Sequence, residues 1–335
     1  NHIEKQKSYW LNQLNGVQQI LHLPTDFPRP DVLTFKGDKY KFELDMALLN
    51  ALKEICHNSE CSLFMLLLSG FSILLERYSR QSDFCIGTVI AGRDRVETED
   101  IMGCFINGLI LRQQHKVGES FADFLSRLKQ DILNAYQNQD VPADAIIDDI
   151  AVERNMAYSP LVQVGFALQE SAQDNHHIPS LAIEGIDVHS GTSKYDITLN
   201  FTQHSNGLFG EVEYNTALFK PEFIIKLSHH LKNIFECIVQ RPGDNISSYD
   251  LVDSSELMNI LDLDNVATSQ IHPLTLTQRD LFFAWQQYPD AINQSIGDAL
   301  ILEMPINQTK WQQAFERMSE TYPMFNANII ACHQP

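Results

Sequence analysis

Residues 83–112 read DFCIGTVIAGRDRVETEDIMGCFINGLILR and gather the side chains with most scope for chemistry, a Gly92-Arg93-Asp94-Arg95 turn followed by Gly103 and Asn107. The apolar runs at 84–91 and 105–111 are β-rich and bounded by Gly, Asp and Arg, as buried strands are. Two readings of the charged turn stay open: a structural β-loop-β unit, or a loop that brings cationic groups to a cleft. Several other chemistries find no pattern in the chain, which has no HExxH, GxSxG, GxxxxGK[ST] or GxGxxG. The acidic groups Glu97, Glu99, Asp100 and Asp144, Asp148, Asp149 have no His or Cys at ligand spacing, so they read as solvated faces and no metal is expected.

Around this stretch the patterning predicts the elements that must hold it. A helix ends at residues 8–14, and a proline-rich connector at 24–30 runs extended. A strand is expected at 39–44. Asp45 then caps a helix at 46–57, and Ser62 caps a longer apolar helix reaching Tyr78. Residues 119–138 form an amphipathic helix with Phe121, Phe124, Leu125, Leu128, Ile132 and Leu133 on one stripe, suited to lie on a sheet. After Pro142 a short helix ends near Ile150. Strands follow at 161–168, 181–189, 195–203 and 207–214, the last two joined at Asn206-Gly207, a hairpin signal. Residues 169–180 read as a loop, and a closing helix spans 219–240. Strands and helices mix without strict βαβ alternation, which predicts an α+β fold, a mixed β-sheet covered by helices.

The net charge of −19 and the 24 Lys and Arg argue against nucleic acid and imply only solubility and a taste for cationic partners. The strongest apolar run, 63–75, is interrupted by Ser69, Gly70 and Ser72 and reads as a buried helix, so no membrane association is expected. The N-terminus has no signal-peptide core and does not begin with Met, which suggests a chain cut from something longer. Six cysteines without a CxxC pair read as reduced, buried thiols of a cytoplasmic protein. At 335 residues the chain should form two compact units.

The pair IGTVIAGRDR and IMGCFINGLILR, at 86–95 and 101–112, closely resembles two motifs of the condensation domains of non-ribosomal peptide synthetases. Residues 9–30, YWLNQLNGVQQILHLPTDFPRP, look like the family's approach to its C-terminal lobe. SPLVQVGFALQ at 159–169 and SKYDITLNF at 193–201 are similar to two later family blocks, in the right order, and the resemblance covers about the first 258 residues. It implies a CoA-dependent acyltransferase-like lobe at 1–258, with a polar linker at 259–271. HPLTLTQRDLFF at 272–283 is similar to the opening motif of a condensation domain, so 272–335 would be the incomplete N-terminal start of a second one. Its Trp311, Phe315, Met318 and Phe325 make a small apolar face unable to stabilise itself alone.

The chemistry the resemblance implies is attack by a carrier-bound acceptor amine on a carrier-bound donor thioester, with two pantetheine arms meeting in a tunnel between lobes. No cofactor would be bound covalently, since no carrier-protein serine motif is present. The phosphopantetheine arms would come from peptidyl and aminoacyl carrier protein domains, and adjoining synthetase domains would be the other partners. The family's HHxxxDG motif, whose second His orients or deprotonates the amine, is absent. His176-His177 reads as loop and His229-His230 as helix surface. The resemblance therefore implies no catalytic residue on this chain and no activity of the chain alone, the parent being a peptide-bond-forming acyltransferase. It leaves Arg93, Gly103, Asn107 and Gln163 as substrate-tunnel candidates. Asn107 reads equally as a turn-stabilising residue, and Arg93 as a partner of Asp94 or Glu97 in a surface ion pair. A non-catalytic docking platform for carriers or a recruited enzyme is the alternative, and an epimerisation relative is the more distant one.

Overall fold

Eleven consecutive buried residues, 65–75, make one helix apolar on every side, and the rest of the first unit is arranged around it. In the computed structural model, residues 2–93, 96–150, 155–170, 188–204, 207–253, 256, 278 and 307–321 are described. The chain divides into two compact units, Asn1–Leu251 and Val252–Pro335. The first holds α1 (His2–Gln13), β1 (Gly37–Leu44), α2 (Met46–Asn58), α3 (Leu63–Ser79), β2 (Asp83–Ile90), α4 (Val96–Glu99), β3 (Asn107–Gln114), α5 (Phe121–Gln137), α6 (Ala143–Asp149), β4 (Val164–Glu170), β5 (Ile197–His204), β6 (Gly207–Asn215) and α7 (Pro221–Gln240). In the second unit α8 (Gln308–Thr321) is described, with Trp311 and Phe315 exposed and their rings 6.0 Å apart. The expected linker at 259–271 and residues 181–187 of the strand expected at 181–189 lie outside the described residues, and 188–189 are not part of a strand.

Helix starts follow the expected caps. Asp45 Oδ1 accepts from the Leu48 amide at 2.8 Å, and Ser62 Oγ from the Met65 amide at 3.2 Å. The six strands form one mixed sheet in the order β1-β6-β5-β4-β2-β3. Strands β1/β6, β5/β6 and β2/β3 pair antiparallel, whereas β2/β4 and β4/β5 are parallel. The predicted hairpin is present, with His204 opposite Gly207. Helices α2, α5 and α7 surround α3, which also touches β4. Phe71 of α3 stacks on Phe166 of β4 at 6.0 Å. Gly70 lets α7 approach, because a Cβ there would lie 2.4 Å from the Phe235 ring.

Four expectations are corrected. Leu133 is 38% exposed, since it falls at the edge of the α5 stripe, while Ala135 is buried instead. His230 is no surface residue: it is 8% exposed and its Nδ1 lies 2.7 Å from Tyr78 Oη, although His229 is exposed. Of the cysteines, Cys104 is exposed and Cys61 half-buried. Strand β4 also begins later than the apolar run, because Leu161 takes φ 59° and interrupts the extended chain. Among the described residues no single helix is long and apolar enough to cross a membrane; α2 and α3 qualify only together, across a 107° bend.

Two buried polar contacts fix the packing. Arg29 forks onto Asp196 at 3.0 and 2.5 Å, with side-chain exposures of 14% and 3%, and its guanidinium lies 4.1 Å from the Tyr158 ring. Burial raises the Asp196 carboxyl above its ordinary range despite Arg29 beside it, so desolvation outweighs attraction here. His115 sits between Phe84 and Phe124, at 5.9 and 4.7 Å, with Nε2 2.9 Å from Ser72 Oγ. Burial, then the Arg127 charge, push its pKa down to about 4.

Arg29→Met should cost about 3–5 kcal/mol by urea denaturation because it strands a buried carboxylate, and a second change, Asp196→Leu, should recover most of that loss. The neutral imidazole of His115 implies a pH effect of defined sign. Below about pH 6.5 the unfolded state takes the proton first, so stability falls as pH drops and levels off near pH 4, a loss of roughly 3 kcal/mol. The wild-type curve minus that of His115→Gln between pH 7 and 4 measures this contribution.

Candidate functional site

The two strands flagged in the sequence pair antiparallel, with Ile86 opposite Leu111 and Ile90 opposite Asn107. Phe84 faces His115 and thus the α5 side. By strand alternation Gly87 and Val89 point to the opposite side, where Val89 is 60% exposed. The chain between the strands turns at Gly92, whose φ of 63° and 2.1 Å approach of a Cβ to the Phe105 carbonyl require glycine.

Arg93 folds back over this crossing. Its guanidinium donates to the carbonyls of Thr98, Ile101 (2.9 Å) and Gly103 (2.9 Å) and lies 4.5 Å from the Phe105 ring. Gly103 is thus brought to Arg93 as an acceptor; Asp94 and Arg95 lie outside the described residues. Asn107 opens β3, and its Nδ2 donates to the carbonyls of Gln139 (2.8 Å) and Val141 (3.0 Å), binding the α5–α6 connection to the strand pair. Gln163 is buried. Its Oε1 accepts from the Leu21 amide at 2.7 Å, and its Nε2 donates to the carbonyls of Gln19 (3.2 Å) and Ser159 (2.6 Å). Of the four candidates, Asn107 borders a cleft; Gln163 is not among its lining residues but adjoins one of them, Val162, in the chain.

That cleft has a volume of about 710 Å³. One wall is the β2–β3 pair, with Gly87, Val89 and Asn107; a second is α6, with Asp144, Ile147 and Asp148; the third is Ser159, Pro160, Val162, Lys194 and Tyr195. At Gly87 a Cβ would stand 2.6 Å from Val162 and 3.7 Å from Tyr195 Oη. The lining offers hydroxyls, one ammonium, two carboxylates and apolar surface, but no His or Cys among the described lining residues. Nor do the described residues hold a grouping suited to a metal ion. Such a cleft can bind and orient a chain with amide and apolar segments, and its described lining residues include no imidazole to act as general base near neutral pH.

Sequence reasoning passed over Lys194, Tyr195, Asp144 and Asp148. The first two stand inside SKYDITLNF, but a strand pattern does not tell which residues before the strand reach a cleft. The two carboxylates are exposed, as read from the sequence, and also border the cleft.

The family model of the condensation domain matches residues 1–261. A linear gramicidin synthase of Brevibacillus parabrevis is 38% identical over 261 residues, covering 77% of this chain and 5% of that protein. Gramicidin S synthase 2 of Brevibacillus brevis is 32% identical over 275 residues, 82% of this chain and 6% of that protein. The chain therefore spans about one-twentieth of the curated relatives it matches. Among solved structures, the X-domain from teicoplanin biosynthesis superposes with a TM-score of 0.68 at 25% identity, over 75% of this chain and 57% of that one. A four-domain nonribosomal peptide synthetase bound to AMP and glycine gives 0.73 at 20% identity, over 87% and 23%, which speaks to the fold.

Asn107→Ala should cost about 1–3 kcal/mol, because the Gln139 and Val141 carbonyls lose their donor. Hydrogen exchange should then quicken selectively at 139–149, the cleft wall that Asn107 ties to β3; uniform loosening of the whole unit would contradict this role.

Proposed function

The chain belongs to the condensation-domain family, and we propose that its first unit is the acceptor-side, C-terminal lobe of a domain that forms peptide bonds. In this reading a carrier-bound acceptor amine attacks a carrier-bound donor thioester. The cleft between β2–β3, α6 and the 159–162 and 194–195 segments receives part of a phosphopantetheine arm. The observation that carries the reading is a cleft whose described lining combines hydroxyls, an ammonium and carboxylates with apolar walls and holds no imidazole, inside a stretch that matches the family throughout. Such a surface contributes positioning, which can lower a bimolecular barrier by roughly 7–11 kcal/mol when both reactants are held. The proton-handling His belongs to an HHxxxDG motif supplied from outside residues 1–335, so the chain by itself is inactive.

Arg93, Gly103, Asn107 and Gln163 serve the tunnel as its frame. Arg93 and Gly103 shape the crossing loop, Asn107 fixes the α6 wall, and Gln163 fixes Val162 through its neighbours. Peptidyl and aminoacyl carrier proteins are the partners, in a cytoplasmic assembly. Residues 1–258 form the lobe, 259–271 a linker, and 272–335 the start of a second condensation-type domain. A second reading has its own support: the similar X-domain from teicoplanin biosynthesis has been solved in complex with OxyB. On that reading this lobe is a docking platform for carriers or a recruited enzyme.

A single-turnover assay with donor and acceptor loaded on carrier proteins separates the two. Dipeptide is expected from the chain extended through a complete domain and none from the 335-residue chain. An extended protein that binds both carriers and releases no dipeptide would overturn the condensation reading in favour of docking.

A further inference from the structure

The corner between α2 and α3 places two cysteines against each other through backbone geometry. Helix α2 ends at Asn58 with Ser59 as its C-cap, and Glu60 follows in the left-handed region at φ 49°. The Cys61 amide donates to the Cys56 carbonyl at 3.0 Å, and the Glu60 amide to the His57 carbonyl at 3.3 Å. These two bonds are the Schellman pattern, which brings the side chain three places before the helix end against the second one beyond it. Those positions usually hold an apolar pair. Here both are cysteine, Cys56 at the first of these positions and Cys61 at the second.

The two sulfurs differ in surroundings. Cys56 is buried, while Cys61 is half-buried and directly precedes Ser62, the cap of α3, so it lies by the positive end of that helix. Lys129 of α5 reaches over the same loop, 3.5 Å from the Ser59 carbonyl and 3.9 Å from the Glu60 carboxylate. The neighbouring Cys56 thiol, with the Lys129 charge adding to its effect, lowers the Cys61 thiol, whereas Cys61 and burial raise that of Cys56. A lowered, reachable thiol beside a second thiol is the arrangement of an oxidisable pair.

We propose that Cys56 and Cys61 form an oxidative modification site, in which a hydroperoxide oxidises Cys61 and Cys56 closes an intrachain disulfide across the end of α2. In the first step the Cys61 thiolate attacks the peroxide, the O–O bond breaks, and Cys61 becomes a sulfenic acid as hydroxide leaves. The Cys56 sulfur then attacks that sulfur, the S–O bond breaks and water leaves. Two thiols and one hydrogen peroxide give one disulfide and two waters. The disulfide would join two segments already in contact and staple the corner that holds α3 in the core.

The test uses the whole chain treated with hydrogen peroxide, then quenched, alkylated in denaturant and digested with trypsin. The 54–77 peptide carries Cys56 and Cys61 and no other cysteine. It should lose two hydrogens, escape alkylation at both sulfurs, and regain both alkyl groups after a thiol reductant. Cys85, fully buried with its thiol pushed up to about 12, serves as an internal control that stays alkylated. In Cys56→Ser, a sulfenic acid trapped by dimedone should fall on Cys61, and Cys61→Ser should give no adduct in this peptide. Full alkylation of the 54–77 peptide while Cys104 is consumed would overturn the proposal, as would added oxygen without loss of the two hydrogens. An adduct on Cys56 in the Cys61→Ser protein would overturn the assigned order.

Discussion

Helix α3 has no solvent side to offer, and that constraint sets the architecture of the first unit. A helix that is apolar all round must be enclosed all round. Beneath it lies β4 with Phe166, and around it stand α2, α5 and α7, with α7 close enough that its Phe235 ring fills the space a side chain at residue 70 would need. The longest helices are thus committed to enclosing α3. On the other side of β2, Gly87 and Val89 face a cleft with only short α6 and irregular chain as its further walls. The enclosure of one helix and the openness of the cleft come from the same allocation of elements.

Polar side chains then join what helices and strands leave loose. Irregular backbone carries amides and carbonyls that need partners as much as any strand does. Gln163 satisfies three of them at Gln19, Leu21 and Ser159, and Asn107 two at Gln139 and Val141. Arg112 does the same at Gln13 and Asn15 while forking onto Asp83. Each of these side chains reaches at least one segment distant in sequence, so irregular chain is held by side chains where no ladder extends. This is why residues that look chemically equipped in the sequence are found bonded to backbone.

Much of the fold was legible because its signals are local. Periodicity gave α2, α3, α5 and α7, caps gave two of their starts, and Asn206-Gly207 marked the turn between β5 and β6. The insertion of β4 between β2 and β5 was not legible, since parallel pairing across a long separation leaves no mark in either strand's own pattern. Arg93 shows the limit for the candidate site. Its charge is plain in the sequence, but its direction depends on a loop whose carbonyls turn inward. His230 was misjudged for a related reason: its ring is buried by Tyr78 from α3, and nothing near residue 230 announces that neighbour. The cysteines are a case of geometry giving meaning to spacing, because C-x4-C across a helix end brings its two side chains to one corner when the intervening residue adopts the left-handed conformation that Glu60 takes.

The proposed role makes a physical demand that these ties address. A site that works by positioning gains only as much as its walls resist movement, and displacement of about 1 Å at a reacting group can cost a hundredfold in rate. The β2–β3 wall is a full eight-residue ladder, rigid by its own hydrogen bonds. Helix α6 has seven residues, too few to be stable alone. Its place is held by the apolar burial of Ile146, by the Lys7–Asp149 ion pair at 3.1 Å from α1, and by Asn107, whose two bonds span strand and helix approach. The weak wall is therefore anchored directly to the strong one, while Gln6 at Asp140 and Lys7 at Asp149 hold it from α1. A lobe built in this way can fix one reactant while the proton-transfer group is carried elsewhere, because holding and proton transfer need no shared residue.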